Sequence, residues 1–144
     1  VIQLLKTKQP DCNIYIFCGK GKELELMQEW TKKYDIEIAS GEGIRADLEK
    51  MKQLDVMISM DSANMHLASL VGVRVVSIWG ATHPDFGFYG YGQNPRNALC
   101  ANLPCQPCSA YGQKPCRYGD YRCLRAITPE MVFEKILQQL GSPV

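Results

Sequence analysis

The spacing of apolar positions changes several times along the chain, and each change marks an element. Asn13 to Cys18, NIYIFC, is a short β-branched and aromatic run that ends at Gly19, and it predicts a buried strand. In KELELMQEWTKKY, Leu24, Met27, Trp30 and Tyr34 fall on one helical face. IEIA is a brief strand closed by SGEG. Ile44, Leu48, Met51 and Leu54 then recur at helical spacing. DVMISM is a continuous apolar strand, residues 63 to 71 (ANMHLASLV) a helix that stops at Gly72, and VRVVSIW a further strand broken by GATHPDFGFYGYG.

This alternation, βαβαβαβ, predicts an α/β fold: a Rossmann-like parallel sheet with helices on both faces and right-handed crossovers. The continuous apolar strands agree, because a strand buried on both faces need not alternate. Residues 92 to 126 lose periodicity and collect Pro, Gly and Cys. A closing helix over 128 to 141 is announced by Thr128 as N-cap, Pro129 at the first helical position and Glu130 in the first turn. Val132, Phe133, Ile136, Leu137 and Leu140 give it an apolar face, and Gly141 ends it. No internal repeat or low-complexity tract interrupts this order.

Composition adds bounds. The length of 144 residues fits one domain, 1–144, with a real core. Mixed charges and a net charge of +1 give no electrostatic case for nucleic acid or an anionic membrane as the main partner. No apolar run is long enough to span a bilayer, and no signal peptide is visible. The start at Val1 rather than Met, with a strand pattern almost at once, leads us to expect a piece of a longer protein. Seven cysteines, an odd number without a secretion signal, argue against a disulfide framework and for a reducing compartment.

In an open parallel sheet, ligands bind beyond the carboxyl ends of strands, near helix N-termini. Three segments are expected along that edge: GKGKE (19 to 23), DSANMH (61 to 66) and GATHPDFG (80 to 87). In the first, Gly19 permits close backbone approach and Glu23 can accept from ribose hydroxyls; the same residues equally describe a strand-to-helix turn with an acid in the first turn. It is not a P-loop, since GxxxxGK[ST] is absent. In the second, Ser62 and Ala63 open a helix whose backbone N–H groups suit a phosphate, His66 lies one turn on, and Asp61 suits a sugar hydroxyl. The plainer reading is a helix capped by Asp61 or Ser62, and both readings stand at this point. The spacing argues against a hydrolytic Ser-His-Asp relay, because three residues this close on one turn do not form its geometry. In the third, Thr82, His83, Asp85 and several aromatics suit one wall of a sugar pocket or a surface loop packed by its own rings.

Cys12 and Cys18 flank an apolar strand and read as core thiols. Cys105, Cys108, Cys116 and Cys123 follow C-x2-C-x7-C-x6-C, a set that four-thiolate structural zinc would suit, although the second pair is widely spaced. The alternative is free thiols packed under a long loop.

MISMDSANMHLASLVGVRVVSIWGATHP resembles the signature segment of glycosyltransferase family 9, the ADP-heptose:lipopolysaccharide heptosyltransferases. Members show D-[TS]-G-x-x-H-[LI]-A after a strand, then G-V-P and a strand ending in G-P-T-x-P. The spacing from Gly19 to Glu23, the Cys-rich loop and the ITPEMVFEKI helix resemble the family as well. The likeness covers nearly the whole chain, as the carboxyl-terminal half of a two-domain GT-B enzyme. It implies donor binding by Gly19, Glu23, Asp61, Ser62, Ala63 and His66: Glu23 at the adenosine side, Asp61 at the sugar and diphosphate, Ser62 and Ala63 on phosphate oxygens, and His66 completing the site in a catalytic role. This chain departs from the pattern at Ala63, where Gly is usual, and at Arg74 and Ala81, where Pro is usual.

The resemblance further implies an ADP-sugar donor, no required metal or other cofactor, and a glycolipid acceptor held by an amino-terminal half that supplies the catalytic base. The cytoplasm, or the periphery of the inner membrane, is the implied location. The resemblance also leads us to expect that the first strand of a complete carboxyl-terminal half, with its phosphate-binding lysine, lies outside this chain. Two rival readings are a non-catalytic nucleotide-binding module and a zinc-stabilised interaction domain.

Overall fold

A computed structural model describes residues 1–39 and 41–141. The fold is α/β, with parallel strands and flanking helices, and the chain divides into two compact units, Val1–Gln53 and Leu54–Val144.

The first unit opens on a helix, α1 (Ile2–Lys8), ahead of the first element that the pattern marked. Its Lys6 ammonium reaches the Cys12 carbonyl at 3.2 Å and the Asp35 carboxylate at 2.9 Å. Strand β1 (Tyr15–Ile16) is much shorter than the NIYIFC run and is not buried, with Tyr15 43% exposed. Cys12 and Cys18 accordingly sit half-buried rather than in a core. Helix α2 (Lys22–Lys33) has the expected bounds, but none of its residues is buried, and Trp30 on its apolar face is 39% exposed. Strand β2 (Glu37–Ile38) pairs in parallel with β1, Tyr15 opposite Glu37, and is flanked by buried Ile36 and Ala39. Ser40 of the SGEG turn lies outside the described residues. Helix α3 (Ile44–Met51) buries Met51 completely.

The second unit holds a three-stranded parallel sheet. Strand β3 (Val56–Met60) pairs with β4 (Arg74–Trp79), Val56 opposite Arg74 and Met60 opposite Ile78. Between them runs helix α4 (Ala63–Leu70), which buries Met65, Ala68 and Ser69. Its end is well specified. Gly72 takes φ +79, its N–H donates to the Ser69 carbonyl at 3.1 Å, and the Val73 N–H donates to Ala68 at 3.0 Å. This double closure satisfies the last carbonyls and turns the chain straight into β4; any side chain at 72 would strain it.

Strand β4 is central. Val75, Val76 and Ser77 are all buried, and successive residues face opposite sides, so both faces of the sheet are covered. Helix α4 and the closing helix pack against both β3 and β4. The third strand, β5 (Ala98–Cys100), lies inside the segment expected to be irregular. It pairs in parallel with β4, Ser77 opposite Ala98 and Trp79 opposite Cys100. Ahead of that pairing the Gln93 side chain stands in for a strand, accepting from the Val75 N–H at 2.8 Å and donating to the Val73 carbonyl at 2.7 Å. A short helix, α5 (Arg122–Arg125), buries Cys123, and the closing helix α6 (Pro129–Leu140) buries Val132 and Ile136. Thr128 caps α6 as expected, its hydroxyl accepting from the Met131 N–H at 3.3 Å.

Candidate functional site

The carboxyl ends of β3, β4 and β5 form one edge of the second unit's sheet, and three loops leave from it. Beyond β3, Asp61 is half-buried while Ser62, Ala63 and His66 are exposed. These four residues come together because Ser62 and His66 are one turn apart at the start of α4.

The N-cap residue Ser62 makes no side-chain cap to α4, and the first turn carries no acid. Ser62 occupies the N-cap position in extended backbone, yet its hydroxyl lies 3.0 Å from the Ser59 hydroxyl. Ser59 spends its own proton on the Met60 carbonyl at 2.9 Å, so Ser62 donates to Ser59. The capped-helix reading therefore loses Ser62. A phosphate role, in turn, falls to the backbone N–H groups of this helix start rather than to the hydroxyl as it stands. The start of the helix carries the positive end of its dipole and favours an anion. Ala63 adds only a methyl group at that surface.

The loop beyond β4 is built differently. Gly80 has no room for a side chain: a Cβ there would sit 2.8 Å from Leu124 Cδ2. Thr82 is buried and belongs to the packing. His83 caps a short 3-10 turn, Pro84–Phe86, its Nδ1 accepting from the Asp85 N–H at 3.2 Å. Its other nitrogen, Nε2, lies 2.9 Å from Asn102 Oδ1, just past β5. The aromatics pack on one another, with Phe88 against Tyr111 at 5.5 Å between ring centres and Trp79 against Tyr89 at 6.2 Å. Tyr91 stays 85% exposed. Asn102 was invisible to motif reading, since its link to His83 spans 19 residues and depends on a strand the pattern did not mark.

The Cys-rich segment is fastened to this edge through its backbone and one amide. Gln106 Nε2 donates to the Gly80 carbonyl at 2.7 Å, and the Cys108 N–H donates to the Ala81 carbonyl at 2.8 Å. No disulfide is formed among the described cysteines. Burial, with the neighbouring Cys105, Cys123 and Cys116 thiols, pushes the Cys108 thiol up. Backbone N–H groups of Tyr121 and Tyr118 hold the Cys116 thiol below its usual range. No three His, Cys, Asp or Glu side chains among the described residues are placed to hold a metal ion, so a zinc-stabilised interaction domain gains no support.

Gly19 and Glu23 belong to the first unit. The Gly19 N–H donates to Glu23 Oε2 at 2.8 Å, and a Cβ on Gly19 would meet that oxygen at 2.8 Å. The spacing from Gly19 to Glu23 thus has a local cause: a carboxylate in the first turn of α2 folds back onto the end of the preceding strand segment, where glycine leaves room for it. Glu23 remains exposed.

A family model for glycosyltransferase family 9 (heptosyltransferase) matches residues 1–121. The chain belongs to this family. It is similar to lipooligosaccharide heptosyltransferase 2 of Campylobacter jejuni subsp. jejuni serotype O:6, 32% identical over 90 residues that make up 62% of this chain and 27% of that protein. The protein of the same name from serotype O:2 is 34% identical over 82 residues, 56% of this chain and 24% of that protein. The chain thus aligns with about a quarter of the length of these curated heptosyltransferases. No solved structure matches it significantly. Within the family frame, the β3–α4 junction is the segment that carries the signature, and it is the part of the second unit with an uncapped helix start at the sheet's carboxyl edge.

Proposed function

We propose that the chain is the donor-binding part of a heptosyltransferase that moves a sugar from a nucleoside diphosphate, ADP-heptose, to a glycan acceptor of the lipopolysaccharide core. The observation that carries this reading is the uncapped start of α4, flanked by Asp61 and His66 at the carboxyl edge of β3, in a chain of this family. Backbone N–H groups there and the His66 imidazole oppose the charge that grows on the departing diphosphate as the glycosidic bond breaks, and Asp61 accepts from sugar hydroxyls. Glu23, in the first unit, is read on the resemblance as the carboxylate for the adenosine side. Acceptor binding and the catalytic base are assigned to protein outside this chain, so the chain by itself binds donor without turnover. On this reading the protein works in the cytoplasm or at the periphery of the inner membrane. No helix among the described residues is long and apolar enough to cross a membrane.

Ser62→Asp separates a cap from a ligand site, because it moves the two in opposite directions. A carboxylate at an uncapped N-cap stabilises a helix by about 1 kcal/mol. The same charge repels a diphosphate, and affinity for ADP is expected to fall by roughly tenfold or more. Chemical denaturation and calorimetric titration of the intact protein read the two effects. Gained stability with unchanged ADP affinity would remove the phosphate from this helix start.

A further inference from the structure

We propose that Asn102 is a sugar-binding residue of the donor site, held in register by His83 as a positioning residue. The inference rests on the donor-site reading above and extends it to an edge loop that the family signature leaves out. Its basis is a forced hydrogen-bond pattern. The Asp85 N–H donates to His83 Nδ1 at 3.2 Å, so in the neutral ring the proton sits on Nε2. In the charged ring Nε2 carries a proton as well, with Nδ1 then facing the Asp85 carboxylate at 3.5 Å. In both states Nε2–H donates to Asn102 Oδ1 across 2.9 Å. The amide oxygen is thereby used, and the two N–H bonds of Asn102 Nδ2 are the groups left to offer a ligand. Asn102 is exposed, whereas the His83 side chain is only 19% exposed.

The backbone marks the same residue, one of two non-glycine residues with positive φ among the described residues, the other being Tyr121. Asn102 takes φ +50, a left-handed conformation uncommon for a residue with a side chain, and asparagine is among those that tolerate it. It is fixed from both sides. Cys100 is paired with Trp79 in the ladder, and the Leu103 N–H donates to Gln106 Oε1 at 3.1 Å. Uncommon backbone conformations that the surroundings hold in place cluster at ligand sites. Asn102 leaves the carboxyl end of β5, two strands from the β3 end where α4 begins, and two strand spacings amount to about 10 Å. On this inference one ligand spans that separation, with its diphosphate on α4 and its sugar hydroxyls on the amide. The chemistry selects the sugar for this position. The Asn102 amide carries no charge, and the Asp85 carboxylate beside His83 disfavours a phosphate.

The test compares affinities of the intact protein for ADP-heptose and for ADP alone. Asn102→Asp keeps the acceptor for His83 and removes the N–H donors, and Asn102→Gly removes the side chain while suiting the positive φ. The charge added by Asn102→Asp weakens both ligands, so the ratio of the two affinities is the readout. Both variants are expected to lower the preference for the sugar nucleotide roughly fivefold to tenfold, the worth of one hydrogen bond. His83→Gln is expected to lower it similarly, and the double variant His83→Gln with Asn102→Gly to lower it no further, since the two act as one unit. A preference unchanged in both Asn102 variants, with the unaltered protein binding ADP-heptose normally, overturns the inference and leaves the donor site standing. Failure of the unaltered protein to bind any nucleotide sugar removes the donor-site reading, and this inference with it.

Discussion

Replacing His66 by Ala in the intact enzyme is expected to lower turnover by roughly 100- to 1,000-fold, the usual effect of deleting one preorganised donor to a developing negative charge. The fold should not register the change. His66 is exposed, sits within α4 and packs into no core, and Ala is the stronger helix former. Unfolding midpoints of the two proteins should therefore coincide within the effect of a surface substitution. Steady-state kinetics with saturating donor separate the outcomes. A fall in kcat that matches the fall in kcat/KM assigns His66 to the transition state, and a rise in KM alone assigns it to ground-state binding. Unchanged kinetics would return His66 to the surface of the helix.

Trp79→Ala is expected to cost about 3–5 kcal/mol of stability, the range for removing a large aromatic from a packed core. Trp79 is completely buried at the carboxyl end of the central strand β4. Its indole N–H donates to the Ser77 hydroxyl at 2.9 Å, and its ring stacks against Tyr89. Deletion leaves a cavity on that face and takes a donor from Ser77, which is itself fully buried. The effect should reach function too. The Trp79 carbonyl and Gly80 are where Gln106 fastens the Cys-rich segment, and Cys100 pairs with Trp79 just ahead of Asn102. Denaturant unfolding followed by far-UV circular dichroism measures the loss. A change below about 1 kcal/mol would mean that the site collapses around the deletion and that β4 is not the rigid centre described here.

The parts of the chain that sequence pattern describes well are those whose cause is local or whose burial is complete. DVMISM and VRVVSIW read as strands, and β3 and β4 lie within those runs; β4 is buried on both faces as read, whereas β3, at the sheet edge, buries only Met57 and Ser59 and leaves Met60 43% exposed. Thr128 and Pro129 mark the start of α6 through contacts within one turn. Apolar content misled where tertiary cover is thin. NIYIFC has the composition of a core strand, but β1 is two residues long and half-exposed, and α2 buries none of its apolar face. The three residues of β5 carry no periodicity of their own, and the ladder to β4 makes them a strand. The site divides along the same line. The stretch from Asp61 to His66 is contiguous, so its position at a strand end and helix start was readable. The turn of the Ser62 hydroxyl toward Ser59 depends on side-chain geometry that no pattern encodes. The pairing of His83 with Asn102 depends on two neighbouring strands bringing their ends side by side.

The central claim is that the start of α4 holds the diphosphate of a nucleotide sugar. Its most direct measurement is a titration of the isotope-labelled intact protein with ADP and ADP-heptose, read at the backbone amides of residues 61 to 66. Saturable shifts at Ser62, Ala63 and His66 with both ligands, larger than those elsewhere on α4, are the expected result. Amides of residues 61 to 66 that stay still at millimolar ligand would contradict the claim.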